Sequence, residues 1–456
     1  MRVRLETESQ EITLEGPLLG RGGEASIYTV AGRTDLAAKI YHNPIDEHAG
    51  KLAAMLAAPP VPPPQPGRHV TLAWPMSRLL ELGDEGRVIG YLMPRIENAH
   101  LIWEIYNPGV RREICPHFHH GSLLRTARNL AVLVSTLHEC GYVLGDLNES
   151  NVLVSTQAQV TLIDVDSFQT PGSDQLYRCR VGRPEYTPPE LQGVAFADVD
   201  RLPQHDAFAL AVLIFQLLMQ GIHPFAGRCR EPSGTAGPAR LAGPTDGSCR
   251  APSGTDSIAA RIAAGHWPYA LLRAGAIQPS PHAPPWFALP PSVQELLRRC
   301  FEDAHDEPDL RPSAAQWQHA LEEAEHELTT CPHDAQHVHH RRLDRCPWCT
   351  PLSKGGRRKS EGGENNSPST LHPPLSTLGK RRAVVDDPMP PRQAWTGETP
   401  VRPSAATGGA ELVLQAIGMA LEQSNWLIWL GVALIGAVAG IVYALQHAMS
   451  GKPLGL

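Results

Sequence analysis

The chain has 456 residues, of which 42% are hydrophobic, and this length is sufficient for two or three ordinary domains. Its formal net charge of −7 gives no sign of a nucleic-acid surface, so we expect no nucleic-acid partner. The charged opening "MRVRLETESQ" contains no hydrophobic segment of a signal peptide. We therefore expect the nine cysteines to serve as thiols or metal ligands in a reducing compartment, not as disulfides.

Short β-prone runs alternate with turns between residues 10 and 100. They are "EITLEGPLL", "SIYTV", "LAAKIY" and "RVIGYLMP". A helical stretch, "EHAGKLAAML", lies among them and ends before "APPVPPPQPG", because a helix cannot continue through consecutive prolines. This part of the chain predicts a small β-rich lobe.

Longer helical patterns follow. "SLLRTARNLAVLVSTLHECG" has hydrophobic residues at helical spacing, with Ser122 as its predicted N-cap and Gly141 at its end. "DAFALAVLIFQLLMQG", residues 206–221, is hydrophobic on nearly every side but too short to cross a bilayer, which predicts a buried helix. "PPSVQELLRRCFEDAH" and "RPSAAQWQHALEEAEHEL" are predicted amphipathic helices, and residues 228–257 a mobile insertion.

The first lobe contains candidate phosphate-binding residues. In "LLGRGGEASIYTV", Gly20 and Gly22 lack the side chains that would keep the backbone from a phosphate. Lys39 follows on the next β-prone run, and Ala37, two residues earlier, shares its face. We expect the adenine of ATP to lie on Ala37 while Lys39 reaches the phosphates. Taken alone, Lys39 would be an ordinary strand lysine.

An acid, an amide and a second acid follow in "GDLNESNVLV" and "LIDVDSF". They are Asp146, Asn151 and Asp164. Carboxylate and amide oxygens are the ligands that magnesium or manganese prefers. The pattern therefore indicates metal-dependent phosphoryl transfer.

In order and spacing these residues resemble the eukaryotic-type (Hanks-like) Ser/Thr protein kinase family over residues 10–326. The resemblance implies an α+β, bilobal fold and an ATP- and magnesium-dependent kinase that phosphorylates a protein hydroxyl. The residues matched are Gly20, Gly22 and Ile27 of the glycine-rich loop, the phosphate-binding Lys39, the catalytic Asp146, the metal-binding Asn151 and Asp164, the ion pair of Glu190 with Arg311, and Asp206, which holds the catalytic loop.

Several positions depart from the family. Ala25 replaces the third glycine of the glycine-rich loop, and Gly145 replaces the arginine that receives an activation-loop phosphate. Asn148 replaces the lysine beside the transferred phosphate, and Asp166 replaces the glycine of the second metal motif. The acid that would pair with Lys39 is expected to be Glu47, with Asp46 beside it. The core acids are kept, so we still expect kinase activity. The departures affect the expected catalytic rate and the way the kinase is switched on.

Two other functions stay open. Small-molecule kinases of the aminoglycoside-phosphotransferase type carry a similar Asp-x4-Asn and a downstream Asp, but lack an activation segment locked by an acid–arginine pair. Glu190 with Arg311 therefore favours a protein substrate. The other alternative is a pseudokinase scaffold that binds ATP without transfer, and retention of the four phosphotransfer residues argues against it.

Residues 327–350 contain "CPHDAQHVHHRRLDRCPWC". Cys346 and Cys349 form a Cys-x-x-Cys turn, and Cys331 and His337 are the expected further ligands of a structural zinc. The alternative histidines are His333, His339 and His340. The earlier "CPHFHH" at 115–120 is interpreted as a loop, with a zinc site as the less favoured alternative. The element resembles that of a bacterial kinase group with a "CPWC" zinc element, which implies metal-dependent phosphatase and von Willebrand A-type partners.

The remaining residues predict a membrane anchor. Residues 351–409 are a predicted disordered linker, and residues 410–425 a juxtamembrane helix. Residues 426–445 contain 20 consecutive uncharged residues, the length of one transmembrane helix, and 446–456 form a short tail. We expect a single-pass protein of the bacterial cytoplasmic (inner) membrane with its kinase domain in the cytoplasm, where ATP is available.

Overall fold

A computed structural model describes residues 1–7, 10–61, 68–83, 86–229, 257–271 and 277–349. All of them belong to one unit, which spans Met1–Ser360. The strands are β1 (Arg2–Leu5), β2 (Glu11–Arg21), β3 (Ala25–Val30), β4 (Arg33–Tyr41), β5 (Ser77–Leu80), β6 (Val88–Pro94), β7 (Ala99–Leu101), β8 (Val152–Ser155), β9 (Val160–Leu162), β10 (Thr170–Pro171), β11 (Leu176–Tyr177), β12 (Gly227–Cys229), β13 (Ile277–Pro279), β14 (Leu328–Cys331) and β15 (Asp334–His340). The helices are α1 (Asp46–Ala57), α2 (Ile102–Tyr106), α3 (Pro108–Ile114), α4 (His120–Glu139), α5 (Pro203–Leu218), α6 (Ile258–Ala263), α7 (Pro291–Arg298) and α8 (Ala314–His326).

The first six strands form a closed antiparallel barrel in the order β1-β2-β3-β4-β6-β5. Side chains alternate across each strand, so every second residue enters the barrel. On β4, Ala38 and Ile40 lie in the barrel core. Lys39 and Tyr41, on the opposite face, are directed out of the barrel toward the second lobe, where Tyr41 joins the large core cluster. The predicted β-rich lobe is confirmed.

A three-stranded sheet, β7-β8-β9, joins this barrel to the helical lobe. β8 and β9 pair in register from Val152 with Leu162 to Val154 with Val160. This hairpin connects the two polar segments that the sequence singles out, because Asp146 and Asn151 precede β8 and Asp164 follows β9.

The helical lobe is organised around α4 and α5. Every residue of α5 from His205 to Leu218 is buried, as its nearly continuous hydrophobicity predicts. α4 packs against both α5 and α8. Trp317 of α8 is fully buried in the same core. The α+β class, with strands first and helices second, is confirmed.

Some element boundaries differ from the sequence prediction. α4 is capped by His119, whose side chain accepts the backbone N–H of Ser122 at 3.3 Å, so the predicted cap Ser122 lies inside the helix. Gly141 follows the end of α4 with a φ of +81°, the left-handed region that glycine favours. The predicted helix at 290–305 is α7 followed by one π-helical turn, Arg299–Asp303. The hairpin of β14 and β15 was not predicted.

Within the described ranges, no helix combines the length and the hydrophobicity needed to cross a membrane. The predicted transmembrane helix at 426–445 lies outside the described residues, as do the predicted linker, juxtamembrane helix and tail. Most of the predicted insertion at 228–257 lies outside them too.

Candidate active site

The predicted glycine-rich loop is the connection from β2 to β3. Gly20 stands opposite Ile27 in the strand pairing, and the Gly22 N–H donates to the Ala25 carbonyl at 2.9 Å. A strand–turn–strand of this kind differs from a P-loop, which leads into a helix. Ala37 on β4 is buried, one pleat before Lys39, as the period of a strand requires.

Lys39 lies at the junction of the two lobes and contacts two carboxylates. Its Nζ is 2.5 Å from Oδ1 of Asp164 and 2.5 Å from Oδ1 of Asp166. The tyrosines beside it also donate to Asp166, Tyr41 at 2.9 Å and Tyr91 at 2.8 Å. The strand register explains this cluster, since Tyr91 of β6 stands directly opposite Lys39.

Each charge in this cluster stabilises the other. Burial lowers the pKa of Lys39, but the carboxylates of Asp166 and Asp164 outweigh burial and raise it above the ordinary value of a lysine. Burial alone would raise the pKa of Asp166. Lys39 and the two tyrosine hydroxyls lower this pKa by more than burial raises it, so the net shift is downward. Both groups are therefore charged at neutral pH.

Asp146 is held by amides of its own loop. Asn148 Nδ2 donates to Asp146 Oδ1 at 2.8 Å, and Asn151 Nδ2 donates to the Asp146 carbonyl at 3.0 Å. Asn148 is fully buried and also accepts the Ser150 N–H at 2.9 Å. Asn148 therefore shapes the loop and is not a substitute for an exposed phosphate-binding lysine. Burial and the nearby Asp164 raise the pKa of Asp146, which the Asn148 hydrogen bond partly offsets.

Asn151 and Asp164 fit the predicted magnesium site in their chemistry. Because Asn151 directs its amide nitrogen at Asp146, its Oδ1 is the atom left to bind a cation. The Asp164 side chain is 41% exposed and its backbone is left-handed, with φ of +61°. Both groups offer oxygen donors beside Asp146, the donor type that magnesium requires.

Asp206 holds the catalytic loop, residues 144–151, through hydrogen bonds to its backbone. Its carboxylate accepts the backbone N–H groups of Leu144 at 2.7 Å and Gly145 at 2.8 Å. His138 of α4 lies 2.9 Å from the same carboxylate. The buried acid at the start of α5 thus fixes the residue that precedes Asp146.

Glu190 and Arg311 form the predicted ion pair. Two parallel hydrogen bonds join them, at 2.6 and 2.7 Å, and the Arg311 side chain is completely buried. Arg311 also donates to the Gln204 carbonyl at 3.2 Å. The pair ties the end of the activation segment, residues 164–190, to α5 and to the connection before α8.

Glu47 is not the partner of Lys39, which corrects the sequence prediction. The Glu47 carboxylate accepts a hydrogen bond at 2.6 Å from the guanidinium of Arg180, which belongs to the activation segment. Asp46 beside it is exposed at the helix start. Glu47 lies in the first turn of α1, and Lys39 is occupied by Asp164 and Asp166.

Gly145 leaves a space that the activation segment fills. A β-carbon at Gly145 would lie 2.6 Å from both Cβ and Sγ of Cys179, and Gly145 has a φ of +70°. Cys179 is fully buried. The absence of an arginine at Gly145 is thus matched by close packing between the catalytic loop and the activation segment. Arg183 adds a second link, donating to Ser150 at 2.7 Å.

The predicted zinc ligands converge. The ligand atoms of Cys331, His337, Cys346 and Cys349 all lie within 4.8 Å of one another. Two thiolates bound to one zinc at about 2.3 Å stand roughly 3.8 Å apart, which agrees with this spacing. His337 has Nδ1 3.3 Å from Cys349 Sγ and its other nitrogen 3.5 Å from Asp334, the outer carboxylate that zinc-bound histidines commonly contact.

The alternative histidines are directed elsewhere. His340 contacts Glu327 at 2.5 Å, and His339 contacts the His340 carbonyl at 3.1 Å. The His333 ring is not among the converging ligand atoms, and only its backbone N–H contacts Cys331 Sγ, at 3.4 Å. The geometry therefore selects His337 among the four histidines. The "CPHFHH" segment precedes and starts α4, and its His120 ring packs on Trp348 at 5.0 Å.

Comparison with known proteins gives two relatives. Protein kinase YegI of Escherichia coli strain K12 is 34% identical over 357 residues, which are 77% of this chain and 51% of the relative. Protein kinase YegI of Escherichia coli O157:H7 is 34% identical over 359 residues, with 78% and 51% covered. The chain is similar to a protein kinase. It spans about half the length of these relatives. No family model matches it.

Two solved structures were also found. One is a ROP18 kinase domain in complex with AMP-PNP and sucrose, at TM-score 0.43 and 18% identity, covering 71% of this chain and 82% of the other. The second is a rhoptry kinase from Toxoplasma gondii, at TM-score 0.45 and 15% identity, covering 71% and 81%. Both scores are low, so the kinase relationship rests on the sequence relatives.

Sequence reasoning missed several residues of this site. In the sequence Asp166 differs from the family only by replacing a glycine, and its contact with Lys39, 127 residues away, has no local signal. Tyr41 and Tyr91 were detectable from strand period and pairing, but only once the register was known. The partnership of Cys179 with Gly145 joins positions 34 residues apart and had no local signal.

Proposed function

We propose that this chain is an ATP- and magnesium-dependent Ser/Thr protein kinase. The observation that carries the proposal is the convergence of Lys39, Asp146, Asn151 and Asp164 at the junction of the two lobes. The naming of both relatives as protein kinases supports it. The reaction moves the γ-phosphoryl group of ATP to a hydroxyl, whose proton leaves to a base.

Each residue has a physical task in this reaction. Asp146 accepts a hydrogen bond from the acceptor hydroxyl, orients its oxygen and takes its proton. Lys39 holds the α- and β-phosphates by charge. Asn151 and Asp164 would hold magnesium, which when bound neutralises charge on the phosphates. Positioning and charge stabilisation are the main contributions of a protein to phosphoryl transfer.

A protein hydroxyl is the proposed acceptor. The bidentate pair of Glu190 with Arg311 supports this, since it locks the end of the activation segment, a feature that the aminoglycoside-phosphotransferase type lacks. A small-molecule kinase has no need of a locked segment at this place. The alternative of an ATP-binding scaffold is less well supported, because the base and both metal ligands are kept.

The test uses the full chain with labelled ATP and magnesium, and offers it a mixture of candidate proteins together with an aminoglycoside. Label on serine or threonine after phosphoamino-acid analysis is the expected result. Label only on an aminoglycoside-type small molecule would replace the proposal by the small-molecule kinase. ATP binding without any transfer would support the scaffold.

Basal activity is expected not to need a phosphate on the activation segment. Cys179 fills the space at Gly145, and Arg180 binds Glu47, so the segment is ordered by existing contacts. A phosphate there would find no arginine at Gly145 to form the usual charge-assisted hydrogen bonds. The initial transfer rate of phosphatase-treated protein should therefore be within about twofold of that of untreated protein.

The measurement is a progress curve from the first seconds after ATP addition. Arg180→Ala is the matched variant, because it removes one internal contact of the segment and should lower the initial rate. A lag in the treated wild type that prior autophosphorylation removes would show that the segment needs a phosphate after all.

One structural zinc per chain is proposed at Cys331, His337, Cys346 and Cys349. Cys346→Ser combined with Cys349→Ser should release the metal, because two of four ligands are lost. Elemental analysis of the purified chain should find one zinc in the wild type and none in the variant. Hydrogen exchange should increase in residues 328–349 while the two lobes stay protected.

Cys140→Ser is the control for the zinc prediction. Cys140 is an exposed cysteine outside the cluster, so its loss should leave the zinc content unchanged. A wild-type chain without zinc, or a double variant that keeps it, would contradict the assignment.

The remaining features stay predictions from the sequence. They are a single-pass anchor at 426–445 in the bacterial cytoplasmic membrane with a cytoplasmic kinase domain, and partnership with a metal-dependent phosphatase and a von Willebrand A-type protein. The anchor is supported by 20 uncharged residues.

A further inference from the structure

The helix that packs beside Lys39 provides no carboxylate to it. The acids of α1 are confined to its first turn, at Asp46 and Glu47. Asp46 is exposed, and Glu47 is bound to Arg180 at 2.6 Å. The carboxylate that holds Lys39 must therefore come from another element.

Asp166 provides that carboxylate and is held rigidly. Its side chain is 10% exposed, and its Oδ1 is 2.5 Å from Lys39 Nζ. Tyr91 donates to Oδ1 at 2.8 Å and Tyr41 donates to Oδ2 at 2.9 Å. Three donors on two oxygens fix the carboxylate plane, so Lys39 meets it in one orientation.

The buried charged residue of α1 is a lysine and not an acid. Lys51 of α1 is buried, and burial lowers the pKa of its ammonium group, which the carboxylate of Asp166 offsets only in part. The side chains that contact Asp166 are Lys39, Tyr41 and Tyr91. The anion of this cluster is supplied by the segment after β9 and not by α1.

Asp164 also contacts Lys39, but the two acids have different surroundings. The Asp164 side chain is 41% exposed, whereas that of Asp166 is 10% exposed. Asp164 is also a candidate magnesium ligand. Asp166 is enclosed by Lys39, Tyr41 and Tyr91, so its contact with Lys39 does not compete with a metal site.

We propose that Asp166 is the positioning residue of Lys39 and replaces a helix carboxylate in that role. This inference rests on the proposed function, because Lys39 is positioned there for the phosphates of ATP. It follows that the orientation of Lys39 is built from β4, β6 and the start of the activation segment.

The experiment measures nucleotide binding without transfer. ADP and adenosine are titrated into the full chain in EDTA, so no magnesium contributes. In Asp166→Asn the affinity for ADP should fall by about tenfold or more, since Lys39 loses the buried negative charge that holds its ammonium group in place. The affinity for adenosine, which has no phosphate for Lys39, should stay within about twofold.

Two further variants separate positioning from structure. Glu47→Gln makes the same chemical change on α1 and should leave ADP affinity unchanged. In a Lys39→Met background, Asp166→Asn should cost no further ADP affinity, because the two residues act as one unit. If Asp166→Asn does not fold, Tyr41→Phe with Tyr91→Phe keeps the charge but frees the carboxylate, and should weaken ADP and not adenosine.

Several outcomes would overturn the inference. They are equal losses for ADP and adenosine, additive losses in the double variant, or a loss in Glu47→Gln in place of Asp166→Asn. A wild type that selects ADP through Asp166 but transfers no phosphate would overturn the proposed function and leave this inference intact. A wild type that binds ADP no better than adenosine would overturn both.

Discussion

Asp146→Asn is expected to reduce phosphoryl transfer by about 10²- to 10⁴-fold, the usual contribution of a general base. The amide cannot accept the hydroxyl proton, whereas Lys39, Asn151 and Asp164 are unchanged. ATP binding should therefore stay close to that of the wild type. The measurement is initial rate of label transfer together with the dissociation constant for ATP.

Two checks make this result specific to the base. The Asn148 and Asn151 amides both donate to Asp146, so an amide at this position has to rearrange, and the melting temperature must be compared with the wild type. Asp174→Asn is the matched control, because Asp174 is an exposed acid of the activation segment bonded to Ser173. Undiminished transfer by Asp146→Asn would remove Asp146 from its assigned role.

Glu190→Gln is expected to lower the free energy of unfolding by about 3 kcal/mol, the low end for breaking a buried ion pair. Arg311 would stay completely buried and lose its counter-charge. The figure is at the low end because the Glu190 side chain is 27% exposed and water can partly replace it. Denaturant unfolding at neutral pH measures the difference.

The effect of Glu190→Gln should fade in acid. Burial raises the pKa of Glu190, but the hydrogen bonds and charge of Arg311 lower it below the ordinary value of 4.5. A carboxyl with a lowered folded-state pKa stabilises the fold above its unfolded-state pKa, and this contribution disappears as pH falls through the folded-state pKa. Wild type and variant should therefore converge in stability as the pH falls below the ordinary value of 4.5 and through the lowered folded-state pKa.

Glu11→Gln is the control for the ion-pair prediction. Arg2 and Glu11 are 3.2 Å apart, but their side chains are 69% and 53% exposed. An exposed pair contributes about 0.5 kcal/mol or less, so this variant should unfold like the wild type. Equal losses in Glu11→Gln and Glu190→Gln would show that burial of Arg311 does not matter.

Local patterns determined much of the site. A lysine on a hydrophobic strand, an Asp-x4-Asn before a β-prone run and a second acid after it can be found from spacing alone. The Cys-x-x-Cys turn can also be found from spacing alone, because its two thiolates need only a tight turn to come together. These features are set by residues close in sequence, so the chain specifies them before it folds.

Tertiary packing decided which groups those residues contact. Glu47 and Asp166 are both acids at plausible distance along the chain from a lysine, but only the strand register places Asp166 between Tyr41 and Tyr91 and against Lys39. His337 is separated from the three other candidate histidines in the same way, by the pairing of β14 with β15. The sequence by itself determined the chemical groups, the α+β order of elements and the zinc turn. Their partners were decided by the fold, because an ion pair between groups 127 residues apart depends on a closed barrel and a hairpin, which no local pattern encodes.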